Sequence, residues 1–565
     1  MSRRTDRREF LELAGLSAGG FWAFTLGGCR AARRRDEARC DVAVIGGGIG
    51  GCAAALAACR AGARVLLTEE SGWLGGQLTT QAVPPDEHRF IETHGCCASY
   101  RALRAAIRAH YRAAWPLSEA ARADKRLNPG GGWVSRLCCE PRAALAGIEA
   151  LLAPQVESGR LIVLFGSRPV ATEVDGDRLR SVRLETPGEP LTVVAPFFVD
   201  ATETGELLPL AGVEHVTGSE SQAETGEPHA SAVARPGNLQ AGTWVMALEH
   251  RPGEDHTMAP PAQYAFWREF VPRLTPTWPG RLLSWTTSHP LTLQPRELGF
   301  SPLAADEASV KANLWTYRRI RRASNLTEPE LARDVTAINW PQNDYLLGDP
   351  WTGDEDERAR HAEGARQLTL SLVHWLQTEA PRPDGSVGWP GLRPCPQLMG
   401  SSDGLAQRPY VRESRRIRAE RTLVEQDIEP QARAREMGVP IAEARARQFP
   451  DSVGVGLYGE IDLHPTVEGD NYRSVGCLPF QLPLSALIPV RAENLLPGAK
   501  NIGTTHITNG VCRLHPLEWN AGEVAGALCA FCLARGLSPR ALRARPAVLE
   551  DFQADLTARG VELAW

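Results

Sequence analysis

Two histidines and an arginine near the C-terminal end of the chain could carry out proton transfer. His506, Arg513 and His515 lie within ten residues of one another. Imidazole gains and loses a proton near neutral pH, so we predict His515 as a general base, with His506 as the alternative. Arg513 could stabilise developing negative charge, or it could form a salt bridge with Glu518. Each histidine could instead cap or pack beside a helix.

A second group of charged residues lies in the middle of the chain. Arg412 could bind a substrate carboxylate or a sugar oxygen, although most charges of residues 412–416 fit structural ion pairs or a solvated helix face. Asp462 and His464 could form an acid–base pair on a loop. Alternatively, they could only form the internal hydrogen bonds of a turn. The 15 tryptophans outnumber the 8 tyrosines. Because indole rings can stack on sugars, a carbohydrate-like substrate is one hypothesis, although core packing explains most tryptophans.

A glycine-rich segment near the N-terminus predicts a dinucleotide site. Residues 41–45 are apolar and β-branched, which predicts a buried parallel strand, and the glycines follow it directly. Gly46 permits a tight turn, and Gly48 lets the backbone approach a pyrophosphate. Gly51 lets the following helix pack closely on the strand. The N-terminus of that helix, predicted over residues 52–61, offers its free N–H groups to the phosphates.

An acidic residue follows at the expected distance. Glu69 ends a second predicted strand and can accept hydrogen bonds from both ribose hydroxyls. A second match to the glycine pattern, at residues 454–459, lacks a preceding buried strand and a following helix, so we interpret it as a loop.

The loop after Glu69 resembles that of flavoproteins of the glutathione-reductase-like superfamily, in which it runs along FAD. Residues 200–208 resemble the segment that returns to the cofactor, with Glu203 in place of the usual glycine. Residues 494–501 resemble the last strand before the flavin, with Lys500 and Asn501 as departures from the commonest form. The resemblance implies that the N-terminus of the last helix points at the flavin. It implies further cofactor-binding residues: Gly75, Gly76, Gln77, Asp200, Ala201, Thr202, Gly498, Asn520 and Gly522.

The middle of the chain is similar to a bacterial family of FAD-dependent oxidoreductases that is sometimes labelled xanthan-lyase-related. The similar segments are residues 408–417, 451–465 and 480–489. Members are often exported, but the family has little settled chemistry, so the resemblance implies FAD and not a substrate.

These elements predict an α/β fold with a discontinuous Rossmann-like FAD-binding domain of glutathione-reductase type. Its two parts are residues 40–215, which include a β-meander, and residues 480–565. An inserted α+β domain over residues 216–479 is the natural place for the substrate. Turn residues between 170 and 199 predict meander strands over 170–174, 179–184 and 191–199.

The first 29 residues are predicted to be a targeting segment. The run from Arg7 to Leu11 resembles a twin-arginine export signal, and residues 26–29 resemble a lipoprotein processing site that would leave Cys29 lipidated. Ordinary cleavage or a retained anchor are the alternatives. Residues 30–39 are a charged linker. The expected location is therefore the periplasm or the membrane surface, with membrane contact only through the signal or a lipid anchor.

Composition narrows the classes of partner. The net charge of -5 argues against nucleic acid as a general partner. Cys529 and Cys532 form a CxxC pattern, but in an apolar helix this favours two core thiols over a redox or metal pair. No second nucleotide pattern passes the context test, so the electron acceptor is expected to be dioxygen, a quinone or an electron-transfer protein.

Three functional hypotheses remain open. The first is hydride transfer between FAD and a small polar, possibly carbohydrate-like, substrate. The second is reduction of a C=C bond, as in fumarate-reductase-like enzymes. The third is a surface carbohydrate-binding lipoprotein without catalysis.

Overall fold

A five-stranded parallel sheet carries the glycine-rich segment. The computed structural model describes residues 36–303, 310, 312–351 and 353–565. Across the sheet the strands are ordered Leu495–Pro497, Phe197–Asp200, Val42–Ile45, Val65–Glu69 and Leu161–Phe165. Every residue of the central strand is buried, as expected for an apolar strand covered on both faces. The predicted strand, glycine turn, helix and second strand are all present.

Two helices cross closely against this sheet. They are Ile49–Arg60, which follows the glycine turn, and His515–Arg535. A methyl group added to Gly522 would lie 1.9 Å from the carbonyl oxygen of Gly50, and one added to Gly526 would lie 2.1 Å from that of Ala54. Only glycine at these positions allows the two backbones to approach so closely.

The meander follows the parallel sheet, with one difference from prediction. Its strands are Arg168–Asp175, Arg178–Glu185 and Leu191–Val194, paired antiparallel in that order. The single strand predicted over residues 191–199 is wrong, because the chain divides near Pro196, which has no N–H to continue the ladder. The second half, Phe197–Asp200, joins the parallel sheet instead.

A second hydrophobic core lies in the middle of the chain. Its sheet orders Arg319–Arg321, Val335–Ile338, Met246–His250 and Leu392–Pro394 antiparallel, and the helix Glu355–Thr378 contributes to the same core. Buried residues from 423 to 463 belong to the core around the parallel sheet. Residues 38–565 form one compact unit, so the inserted domain and its boundaries remain a prediction.

Shorter elements complete the described chain. Its other helical segments are Gly76–Leu78, Ala98–Ala114, Glu119–Ala123, Pro141–Glu157, Leu207–Leu210, Gln222–Thr225, Tyr264–Glu269, Leu314–Tyr317, Ala323–Asn325, Pro341–Asn343, Pro396–Met399, Glu425–Ile428, Pro430–Met437, Ile441–Glu443, Leu484–Leu487, His506–Cys512, Pro539–Arg543 and Pro546–Ala558. Its other strands are Glu37–Arg39, His215–Val216, Gly242–Thr243, Thr286–Ser288, Pro295–Glu297, Asp344–Tyr345, Arg416–Ile417, Ser452–Gly456, Glu460–Leu463, Arg473–Gly476 and Phe480–Pro483.

The loop interpretation of the second glycine pattern is wrong in part. Ser452–Gly456 is a buried strand that pairs with Phe480–Pro483. Its glycines make room for side chains, since a methyl group on Gly454 would lie 1.8 Å from the amide oxygen of Asn520. The strand Glu460–Leu463 follows it, so the second pattern lacks the helix that a dinucleotide site requires.

The predicted targeting segment, with Cys29, lies outside the described residues. No helix within the described ranges is long and apolar enough to cross a membrane.

Cys529 and Cys532 are buried free thiols. Among the residues that the structure describes, no group of three or more histidine, cysteine or acidic side chains could hold a metal ion.

Candidate active site

The glycine turn borders a cavity of about 480 Å³. This volume is within the range of about 300–1,000 Å³ that is typical of ligand sites. The middle of the chain contributes Trp244 and Trp351 to its walls. Six of the predicted cofactor-binding residues line the cavity together: Gly46, Gly48, Glu69, Gly76, Ala201 and Thr202.

The turn has the geometry that a pyrophosphate site needs. Gly46 has a φ of 107°, and a methyl group there would lie 2.2 Å from the carbonyl oxygen of Ala201. Gly48 is the N-cap of the helix Ile49–Arg60, and no side chain caps this helix. Its first N–H groups are therefore available to an anion. Gly51 packs against the carbonyl oxygen of Gly46, which confirms a packing role rather than contact with the cavity.

Glu69 lies at the cavity wall, at the end of its strand. One carboxylate oxygen accepts a hydrogen bond from the backbone N–H of Ser71 at 2.8 Å. Burial raises the pKa of Glu69 to about 7, against the smaller opposing effect of Ser71. A hydrogen-bond donor such as a ribose hydroxyl would stabilise the ionised carboxylate in this buried position.

The loop after Glu69 is fixed to the glycine turn. Gly75 has a φ of 109°, and its N–H donates to the carbonyl oxygen of Gly47 at 2.7 Å. Gln77 is buried behind this loop, where its amide nitrogen donates to the carbonyl oxygen of Arg513 at 3.1 Å and to Glu518 at 2.5 Å. Gln77 therefore connects the cavity wall to the residues around Arg513.

The return segment is held mainly by its own hydrogen bonds. The carboxylate of Asp200 is buried and accepts from the N–H and hydroxyl of Thr202 and from the N–H of Leu207. Asp200 therefore shapes the loop that brings Ala201 and Thr202 to the cavity. Gly498 follows the adjacent strand, and its N–H donates to the carbonyl oxygen of Asp200 at 2.8 Å.

Two predicted cofactor-binding residues, Gly522 and Asn520, lie away from the walls of the cavity. Gly522 is in the third turn of its helix, against Gly50, and is not at the helix N-terminus. The side chain of Asn520 faces the strand Ser452–Gly456, where its amide donates to the carbonyl oxygen of Val453 at 3.4 Å. The helix begins at His515, seven residues before Gly522, because Pro516 occupies its first turn, where no N–H is needed.

The assignment of His515 as a general base is wrong. His515 is fully buried, and its Nδ1 accepts a hydrogen bond from the backbone N–H of Asp86 at 3.2 Å. This bond places the ring proton on Nε2, which has no partner among the described residues. Burial lowers the pKa of His515 to about 3, while Asp86 opposes the shift. The ring is therefore a neutral hydrogen-bond donor at physiological pH.

The depressed pKa of His515 makes stability depend on pH. The unfolded chain binds a proton at this residue near pH 6.5, whereas the folded chain does so only near pH 3. Stability is therefore lost as the pH falls from 6.5 towards 3, by about 2 kcal/mol at pH 5 from this group. We expect His515→Asn, whose amide oxygen can replace Nδ1, to remove that part of the loss. Urea unfolding of both proteins at pH 7.5 and pH 5 measures the difference, and equal losses would contradict the assignment.

Two of the other catalytic candidates, Arg513 and Arg412, belong to a chain of alternating charges. Arg513 contacts Asp462 at 3.2 Å, and Asp462 lies 3.5 Å from Nε2 of His464. Nδ1 of His464 lies 2.8 Å from Asp344, which contacts Arg412 at 3.1 Å. The predicted acid–base pair, Asp462 and His464, thus lies between the two arginines that were predicted to be catalytic, Arg513 and Arg412. The alternative of an Arg513–Glu518 salt bridge is wrong, because Arg513 pairs with Asp462.

The two carboxylates in this chain stay ionised. Burial alone would raise the pKa of Asp344, but Arg412 and His464 hold it below its usual value. The pKa of Asp462 is lowered in the same way by His464 and Arg513, despite burial. Each carboxylate lies within reach of one nitrogen of the His464 ring and can accept a hydrogen bond from it.

His506 and Arg412 have mainly structural partners. Nδ1 of His506 contacts the buried carboxylate of Glu413 at 2.8 Å, and Glu413 also pairs with Arg416. Arg412 is buried, with its guanidinium donating to the carbonyl oxygen of Ala241 and to Asp344. Neither side chain lines the large cavity.

A further buried arginine, which was not predicted from the sequence, lies near Asp86. Arg318 contacts Asp86 at 3.4 Å, and its Nε and Nη1 have no hydrogen-bond partner within the described ranges. Nε of Arg513 is unpaired in the same sense, while its Nη1 donates to the hydroxyl of Tyr410 at 2.7 Å. Arg318 is not part of any motif, so only its position beside Asp86 in the fold identifies it.

The geometry fits an FAD site. It combines a glycine turn, an uncapped helix N-terminus, a buried carboxylate after the second strand and a cavity of ligand size. These are the features that a dinucleotide cofactor requires.

Comparison with known proteins agrees with this fit. Residues 41–556 match the family model described as FAD dependent oxidoreductase. No curated protein matched the chain.

The solved structures that match have low sequence identity to this chain and low TM-scores. One is the L-proline dehydrogenase from P. horikoshii, with 17% identity over 33% of this chain and 24% of that chain, at a TM-score of 0.18. Another is a myxobacterial chondrochloren halogenase, described as a variant of FAD-dependent halogenases, with 18% identity over 39% of this chain and 45% of that chain, at a TM-score of 0.20.

A third likeness extends over most of the chain. It is a geranylgeranyl bacteriochlorophyll reductase-like protein from Thermoplasma acidophilum, with 10% identity over 93% of this chain and 85% of that chain, at a TM-score of 0.29. The family match covers most of the chain and identifies the family. The chain belongs to the FAD dependent oxidoreductase family and is an FAD-dependent oxidoreductase.

Proposed function

We propose that this enzyme transfers a hydride between FAD and a small, oxygen-rich substrate, and exchanges electrons with a partner other than a nicotinamide. The observation that carries the proposal is the group of buried hydrogen-bond donors around Arg513. It comprises unpaired guanidinium N–H groups of Arg318 and Arg513 and the Nε2–H of His515. Donors of this kind suit hydroxyl, carbonyl or carboxylate oxygens.

The donor group adjoins the cofactor cavity through Gln77. This side chain follows the cavity-lining Gly76 and donates to the carbonyl oxygen of Arg513. A substrate held by these donors would therefore lie beside the cofactor site, where bound FAD supplies the two-electron chemistry.

Proton transfer falls to His464 in this proposal. Oxidation of an alcohol or amine releases a proton as well as a hydride. Nε2 of His464 would hold that proton, stabilised by Asp462 on one side and Asp344 on the other. Arg513 would orient Asp462 and the substrate oxygen.

The electron partner is proposed to be dioxygen, a quinone or an electron-transfer protein. The second glycine pattern lacks the helix that nicotinamide binding needs, which supports this choice. An exported location, through the twin-arginine-like segment, would agree with it because nicotinamides are scarce outside the cytoplasm.

A panel of substrates tests the proposal. The purified flavoprotein is mixed anaerobically with sugars, polyols, amines and hydroxy acids, and bleaching of the visible flavin band is followed. We expect at least one oxygen-rich compound to bleach the flavin, and NADPH not to do so rapidly. Rapid bleaching by NADPH alone would contradict the proposal.

The buried arginines also favour one alternative, reduction of a C=C bond in an unsaturated acid. Arg318 and Arg513 could bind its carboxylate. Oxidation of a reduced viologen dye by such an acid, without bleaching by any compound of the panel, would favour this reaction instead.

A further inference from the structure

Two departures from the common flavoprotein pattern meet in the structure. Glu203 stands where the return segment usually has glycine, and Lys500 stands in the last strand segment. They are 297 residues apart in the chain, yet Nζ of Lys500 lies 2.5 Å from a carboxylate oxygen of Glu203. Lysine is rare in this chain, which places arginine at almost all its other cationic positions.

Glu203 lies at the part of the cavity that should receive the phosphates. One of its carboxylate oxygens is 3.0 Å from the position of a methyl group added to Gly48, and 2.2 Å from that of one added to Gly76. This oxygen is buried and has no hydrogen-bond partner among the described residues. A carboxylate therefore lies beside the uncapped helix N-terminus, where the pyrophosphate of FAD is expected.

An unneutralised carboxylate at this position would oppose the cofactor. Two negative groups a few ångströms apart repel strongly where water is largely excluded. Glu518 places a second carboxylate in the same region, since it lies 3.7 Å from Nζ of Lys500 and close to Gly48. The only cation that these two carboxylates contact among the described residues is Lys500, whose side chain is fully buried.

We propose that Lys500 is a positioning residue for FAD, and that it acts by neutralising Glu203 and holding its carboxylate away from the cofactor phosphates. Lysine suits this task because its ammonium group is a compact charge that fits between two carboxylates. The two departures are thus a matched pair, each of which requires the other. The inference concerns cofactor binding and does not depend on the proposed substrate.

FAD affinity of the apo-protein tests the pair through a double-mutant cycle. Flavin fluorescence is titrated for wild type, Lys500→Met, Glu203→Gln and the double variant, after removal of FAD from each purified protein. We expect Lys500→Met to weaken FAD binding at least about 100-fold, because Glu203 is left unpaired beside the phosphates. Glu203→Gln should bind FAD at least as tightly as wild type. The double variant should return to within about tenfold of wild type, because neither charge remains.

Two results would overturn the proposal. One is a double variant that binds FAD as weakly as Lys500→Met. The other is a loss of at least about tenfold in Glu203→Gln, which would make Glu203 a ligand of FAD instead of a group to be neutralised. If Lys500→Met does not fold, as judged by circular dichroism, the Glu203→Gln and double-variant measurements still decide. Lys125→Met, at an exposed position, is the control and should leave FAD affinity unchanged.

Discussion

Replacing Gly522 with alanine is expected to lower the free energy of unfolding by about 3 kcal/mol, the upper part of the range for overpacking. In an ordinary helix interior a change from glycine to alanine raises the free energy of unfolding by about 0.5–1 kcal/mol. A decrease at Gly522 would therefore indicate the close contact between the two helices. The reason is that the new methyl group would lie 1.9 Å from the carbonyl oxygen of Gly50, and backbone at that position cannot rotate away as a side chain could.

The same substitution should also reduce FAD retention. Gly50 is in the first turn of the helix whose N-terminus faces the cofactor cavity, so separating the two helices displaces that terminus. Urea unfolding and the flavin content of the purified variant measure the two effects. Gly459→Ala is the matched control, because nothing lies within 4 Å of the methyl group it adds. A Gly522→Ala protein as stable as wild type would contradict the packing described for this crossing.

Replacing His464 with asparagine is expected to slow flavin reduction by the substrate at least about 100-fold, a typical contribution of general base catalysis. Asparagine can still donate a hydrogen bond to Asp344, but it cannot take up a proton between Asp344 and Asp462. FAD content should be unchanged, because His464 does not line the large cavity.

Stopped-flow reduction with the compound identified in the substrate panel measures this rate. The matched control is His256→Asn, which removes a histidine that pairs with a surface carboxylate, Glu254. If His464→Asn reduces its flavin as fast as wild type over the whole pH range, the proton is taken up by a different group.

Local sequence was sufficient to predict the secondary structure that carries the glycine turn. The strand, glycine turn, helix and second strand are contiguous, so propensity and spacing determine them. The same reasoning could not identify the environment of His515, because the N–H that occupies its ring nitrogen belongs to Asp86, 429 residues away in the chain. It also could not pair Glu203 with Lys500 across 297 residues.

The errors in the predicted secondary structure also arise from contacts with residues that are distant in the chain. Residues 454–456 have no local signal for a buried strand, and only pairing with Phe480–Pro483 makes them one. The opposite error, one strand over residues 191–199, came from an apolar run in which Pro196 marks a change of sheet. Apolar runs predict burial, but the partner strand is decided by the whole fold.

The flavin content of the purified protein decides whether the cavity beside the glycine turn holds FAD. The protein is purified without added cofactor, denatured, and the released flavin is identified by chromatography and quantified against the chain. We expect a yellow protein that releases FAD in an amount close to equimolar with the chain. A colourless protein that also fails to take up added FAD would contradict it.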